Sequence, residues 1–162
     1  MKDYQQKEEK IFNIINRVKQ LEIEKGKKEE DINYSYTHGE CQDLAMLIKS
    51  QFLNDQDVKV LFMRLPAEEN CHQAIVLTDL EYPKEYFDNK GCFYDINGKT
   101  PLYKAGEYLH SFDENTQAEL PHQITLNYIP FKPCYEQNET TFAVFQQLKL
   151  EDSESCTLDF NQ

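Results

Sequence analysis

The stretch Thr37-His38-Gly39-Glu40-Cys41-Gln42-Asp43-Leu44-Ala45-Met46-Leu47-Ile48-Lys49 decides how the rest of the chain is read. Its apolar residues recur at helical spacing, so a helix is expected from about Glu40 to Phe52. That helix buries Leu44, Ala45, Leu47, Ile48 and Phe52 until Asn54 and Asp55 break it. At its doorstep, where Ser or Asp would ordinarily cap the first turn, stands a cysteine. A helix N-terminus concentrates roughly half a positive charge and several unpaired N–H groups, which stabilise a thiolate and can donate to an oxyanion. Cys41 is therefore the first candidate for a chemical role.

A free thiol is only slightly ionised at neutral pH, so a nucleophilic cysteine needs a base and a group that orients the base. Downstream, the patterns read as strands over Val58 to Leu65, His72 to Thr78 and Cys92 to Ile96. His72 opens the second of these, in His-Gln-Ala-Ile-Val-Leu. Asp95 closes the third, just before a turn at Asn97-Gly98. If the two strands are neighbours, imidazole and carboxylate meet at one end of the sheet, and the set Cys41, His72, Asp95 becomes a candidate triad. Taken singly, each member also has a plain structural use: a buried filler for the cysteine, a core residue for the histidine, a turn former for the aspartate.

Gly39-Glu40-Cys41 with Leu44-Ala45, then His72 with Ala74-Ile75-Val76, then Tyr94-Asp95-Ile96-Asn97-Gly98, resembles the papain-like and transglutaminase-like cysteine hydrolase superfamily. The likeness covers about Asn33 to Thr100. The glutamine that papain-type proteases place six residues before the nucleophile is Ser35 here, and no Trp follows Cys41. The pattern is thus nearer to small bacterial members, which include deamidases, transglutaminases and effector-type peptidases. The resemblance implies a helix packed on an antiparallel sheet and attack by Cys41 on a carboxamide or peptide carbonyl. His72 would serve as base and then acid, and Asp95 would hold the ring. An oxyanion would rest on the Cys41 N–H and one further donor, for which Ser35, Gln42, Tyr34 and Tyr36 are candidates. No metal and no organic cofactor is implied, and the expected substrate is a protein.

Two rivals for the local chemistry stay open at this level. His38, three residues before Cys41, is an alternative base. His38, Cys41, Cys71, His72 and Cys92 carry zinc-type ligands, although neighbouring Cys71 and His72 on a strand point to opposite faces. A third alternative is non-enzymatic: a small acidic binding protein of immunity or inhibitor type that covers a basic partner. The aromatic and charged loop Asp79 to Lys90, with Tyr82, Tyr86 and Phe87, suits that role.

The remaining patterns complete an α+β expectation: N-terminal helices packed against a mainly antiparallel sheet in one domain spanning 1–162. Residues 1–32 read as a helical extension, 33–100 as the catalytic core and 101–162 as its completion. A first helix is expected from Tyr4 to about Glu24, ended by Gly26 and the charge run Lys27 to Asp31, with a loop from Asn33 to His38. Thr100-Pro101 reads as the cap and first position of a helix reaching about Phe112. Ile124 to Ile129 reads as a strand, Thr140 to Leu150 as either helix or strand, and Thr157 to Phe160 as a short tail strand. Seventeen basic against 29 acidic residues give a net charge of −12, which repels nucleic acid and anionic lipid and suits docking of a basic protein. No apolar run reaches the ~18–20 residues of a membrane span, and the start lacks a signal-type apolar segment, so a cytoplasmic protein is expected. The family likeness adds export as an effector without a cleavable signal. Five cysteines without a CxxC pair fit free thiols in a reducing compartment.

Overall fold

Periodic Ile11, Ile14, Ile15 and Val18, all buried, wind residues Lys2–Glu24 into helix α1. The computed structural model describes residues 2–65, 71–83, 91–111 and 124–160. Among these residues the chain forms five α-helices and one five-stranded antiparallel sheet, an α+β architecture. Gly26, at a φ of 90°, ends α1 in a left-handed turn. There the N–H of Lys27 reaches the Glu22 carbonyl at 3.2 Å and that of Gly26 reaches Ile23 at 2.9 Å, the double closure of a Schellman cap.

The next segment differs from expectation: within the presumed charge run and loop lies helix α2, Glu29–Ser35. Its first turn carries Glu29, Glu30 and Asp31, carboxylates that suit the positive end of a helix, and Ile32 is buried beneath it. Helix α3, Cys41–Ser50, buries Leu44, Ala45, Met46, Leu47 and Ile48 in succession, because it lies between the sheet and the other helices. Beyond its end Lys49 Nζ donates to the carbonyls of Phe52, Asp55 and Val58 at 2.7–3.0 Å and pins the chain that leads into the sheet.

The strands are β1 (Val58–Arg64), β2 (Cys71–Leu77), β3 (Cys92–Asp95), β4 (Gly98–Pro101) and β5 (Thr125–Ile129), in the order β4-β3-β2-β1-β5. Alternation divides their side chains between two cores. Val58, Val60, Ile75 and Tyr94 face α1, α3 and the last helix. Leu61, Met63, Ala74, Val76, Phe93 and Leu126 face the other way, under a short 3-10 turn Leu102–Lys104 and helix α4, Ala105–His110. The expected helix from Thr100 is thereby corrected. Thr100 pairs with Phe93 and Pro101 with Cys92, so the hairpin ladder overrides the local cap signal and the helix begins only at Ala105. Phe112, where that helix was expected to end, and residues 84–90 of the aromatic loop lie outside the described residues.

Helix α5, Glu139–Phe160, resolves the undecided segment as helix and replaces the expected tail strand at Thr157 to Phe160. Asn138 caps it, its side-chain oxygen accepting the N–H groups of Thr140 and Thr141 at 2.9 and 3.1 Å. Among the described residues no helix is long and apolar enough to cross a membrane, and Cys41, Cys71 and Cys134 are free thiols.

The helices meet around one buried carboxylate. Glu22, 2% exposed, accepts the Tyr36 hydroxyl at 3.0 Å and the Thr140 hydroxyl at 3.0 Å, with Lys27 at 3.3 Å. This ties α1 to the end of α2 and the start of α5. Tyr36→Phe removes one donor and leaves the carboxylate underpaired. The expected cost is about 1–3 kcal/mol, read as a lower urea midpoint at unchanged slope.

Candidate active site

Register decides which side chains share the far end of β2. Ile75 pairs with Tyr94 and Val76 with Phe93, which places Asp95 beside Ala74, on the same sheet face as His72. The two side chains are diagonal neighbours, and His72 Nε2 lies 2.8 Å from Asp95 Oδ2. Both groups are buried, His72 at 0% and Asp95 at 3% exposure. The second carboxylate oxygen, Oδ1, accepts the Asn97 N–H at 2.9 Å. Asp95 is thus a turn former and a histidine partner at once, one oxygen for each task.

β3 pairs with β2 only through Ile75 and Val76 and then leaves in the Asp95–Gly98 hairpin, closed by Gly98 at a φ of 96°. The start of β2 is therefore open on that flank. There the N-terminus of α3 meets the sheet although the helix itself packs on the opposite face. Half-buried Cys41 lies beside the His72 ring, close enough for the imidazole and the backbone N–H groups of Gln73 and Gly39 to favour its charged form. Nε2 faces Asp95, which holds the proton on that nitrogen and leaves Nδ1 on the opposite edge of the ring. Gly39 adopts a φ of 126°, a left-handed conformation that aims its N–H back at the sulfur and that side-chain-bearing residues rarely take. Glu40, at the N-cap, makes no side-chain bond to the helix, so the first N–H groups of α3 are not consumed by a cap.

Electrostatics follow from these contacts. Burial pushes the Cys41 thiol up, but the His72 hydrogen bond, the imidazolium charge and the two backbone donors outweigh it and leave the thiol below its ordinary value. Burial pulls His72 down, and the bonds and charges of Asp95 and Cys41 more than reverse this, raising the imidazole to about 9. The two groups thus shift each other toward the thiolate and imidazolium forms. Cys71 and Cys134 move the opposite way, each pushed up first by burial, Cys134 to about 11.

The other expected residues fall around this centre. Ser35 ends α2, and its carbonyl receives the Glu40 N–H at 3.1 Å, making it the foot of the turn that delivers Cys41. Gln42 is exposed one position beyond Cys41, and its carbonyl accepts the Cys134 thiol at 3.6 Å. Tyr36 points into the helical core toward Glu22. His38 stacks flat on exposed Tyr34 with centroids 4.0 Å apart, and its Nδ1 lies 2.9 Å from Thr37 Oγ1. The imidazole that acts on the Cys41 thiol is that of His72. Among the described residues no three His, Cys, Asp or Glu side chains are grouped to hold a metal ion. A groove of about 310 Å³ is lined by Gln42, the residue after Cys41, and by Met46, Phe62, Gln73, Ile129 and Pro130 among others. The buried Gln73 Oε1 has no hydrogen-bond partner.

Sequence reasoning missed three contributors. The backbone donors of Gly39 and Gln73 carry no side-chain signature. Tyr108 of α4 donates its hydroxyl to Asp95 Oδ2, and nothing in its own neighbourhood along the chain announces that contact. No protein-family model, curated protein or solved structure matches the chain.

The raised His72 value has a consequence for stability. An imidazole at about 9 when folded and ~6.5 when unfolded contributes stability that is complete below ~6.5 and lost as pH rises through about 9. The excess melting temperature of the wild type over Asp95→Asn is expected to be largest near pH 6 and to shrink steadily toward pH 10 in thermal scans.

Proposed function

We propose that this protein is a cysteine-dependent acyl-transfer enzyme of papain-like or transglutaminase-like type that acts on a protein substrate, with Cys41 as nucleophile, His72 as acid and base, and Asp95 as orienting group. The observation that carries the proposal is one buried imidazole held by a carboxylate through Nε2, with a helix-start thiol beside it whose ionisation it eases. A thiol so placed is what nucleophilic catalysis needs.

In the reaction the Cys41 thiolate attacks the carbonyl carbon of a carboxamide or peptide, forming a C–S bond and an oxyanion. The uncapped N–H groups at the start of α3 are the nearest donors for that charge. Collapse breaks the C–N bond as imidazolium His72 gives its proton to the departing amine. The now neutral imidazole takes a proton from water or from an incoming amine, which adds to the thioester and releases the thiolate. Water yields hydrolysis or deamidation; an amine yields transamidation. The groove lined by Gln42 and Gln73, the chain neighbours of Cys41 and His72, offers an apolar floor for the acyl side of the substrate.

Site-resolved alkylation with iodoacetamide at pH 7 tests the proposal. Cys41 is expected to react at least roughly tenfold faster than the other four cysteines, and His72→Ala to abolish that lead. Similar rates at all five positions would exclude an activated thiol and favour the acidic binding protein.

A further inference from the structure

We propose that Tyr108 is a positioning residue that sets the proton affinity of His72 by competing with it for Oδ2 of Asp95. The proposal extends the catalytic reading of Cys41, His72 and Asp95, and its significance for turnover rests on that reading.

The geometry is specific. His72 Nε2 and the Tyr108 hydroxyl address the same carboxylate oxygen. Tyr108 in turn accepts the Asn97 side-chain amide at 2.8 Å, while the Asn97 backbone N–H holds Oδ1 of the same aspartate at 2.9 Å. Asp95, Tyr108 and Asn97 close a ring of hydrogen bonds at the tip of the β3–β4 hairpin, and His72 joins it at Oδ2. Packing fixes the phenol: its ring meets Phe93 edge-on with centroids 5.2 Å apart and lies tilted over His72 at 5.7 Å. It covers the bond between imidazole and carboxylate from the α4 side, so the competition takes place where water screens little.

A neutral hydroxyl that donates to a carboxylate stabilises its charge and makes it a weaker base toward any other donor. Asp95 therefore pulls on the imidazolium proton less than an undivided carboxylate would. The reaction needs this restraint. His72 must hold its proton until the C–N bond breaks and then give it up, and an imidazolium bound too tightly to its carboxylate fails at the second step. Among the described residues the ionisable groups facing His72 include Cys41 from α3, Asp95 from β3 and Tyr108 from α4, with uncharged Met63 opposite it on β1. Glu40 and Asp43 flank Cys41 along the chain, Cys71 and Cys134 feel its charge, and Arg64 pairs in register with Cys71. Removing one phenolic oxygen deletes none of these other side chains. Burial and the Asp95 charge keep Tyr108 itself protonated, so it acts as a constant donor throughout the working range.

The test is Tyr108→Phe in the full chain, which keeps the ring against Phe93 and His72 and deletes the donor. Two profiles are read: the His72 titration by nitrogen-detected NMR and the pH dependence of Cys41 alkylation. The His72 midpoint is expected to rise by roughly half a pH unit or more, and the acid limb of Cys41 alkylation to move down, because a tighter imidazolium favours the thiolate. Replacing Tyr108 by 3-fluorotyrosine, a stronger donor of nearly the same shape, is expected to move both in the opposite direction. Loss of packing alone cannot produce shifts of opposite sign, and the fluorinated protein serves where Tyr108→Phe fails to fold. An unmoved His72 midpoint in the variant that folds overturns the role of Tyr108 even if Cys41 is selectively reactive. Cys41 reactivity no greater than that of Cys71 overturns the catalytic reading, while the NMR shift still decides what Tyr108 does to His72.

Discussion

Burying a carboxylate and an imidazole side by side imposes a pairing requirement that shapes one whole end of this molecule. Asp95 is almost fully enclosed, and an ion so placed costs several kcal/mol unless its lone pairs are met. Here they are met by an imidazole N–H, a backbone N–H and a phenol O–H. Satisfying the carboxylate in this way also turns the other edge of the imidazole toward the thiol. With the thiolate formed, two negative charges stand against one imidazolium. The surplus is spread over the N–H groups of Gly39 and Gln73 and over the positive end of α3.

Such a cluster works only if its supports hold still, and both ends of α3 are tethered. At one end the sulfur is bonded to β2; just beyond the other, Lys49 gathers three carbonyls of the connection to β1. The helix is pressed onto the sheet by α1 and α5, which are joined through Glu22, Thr140 and Tyr36. The large core draws residues from 1–32, 33–100 and 101–162 alike, including Ile11, Leu44 and Val144. The N-terminal helix is therefore a wall of the same core rather than an appendage to it.

The early departure of β3 from β2 supplies a place where a helix packed on one sheet face can approach a side chain on the other. A longer β3 would pair with the start of β2 and close that passage. The brief hairpin at Asp95 to Gly98 thus has two effects: it presents the carboxylate to His72, and it leaves the flank through which Cys41 approaches.

Much of this was legible along the chain, for local reasons. Apolar spacing in α1 and α3, alternation in β1 and β2, and the Asn97-Gly98 turn depend on neighbours within a few residues, and they located Cys41, His72 and Asp95 on their elements. Where local signals competed with pairing across the sheet they misled: Thr100 and Pro101 look like a helix start but complete a hairpin, and the carboxylates before Asn33 look like a solvated run but open α2. What tertiary structure alone decided was which groups meet. The joining of Tyr108 to Asp95, of Gln73 N–H to the sulfur and of Tyr36 to Glu22 depends on register and on packing between segments distant in sequence. A residue's own neighbourhood carries propensity, whereas the partner that satisfies a buried polar group is chosen by the whole fold.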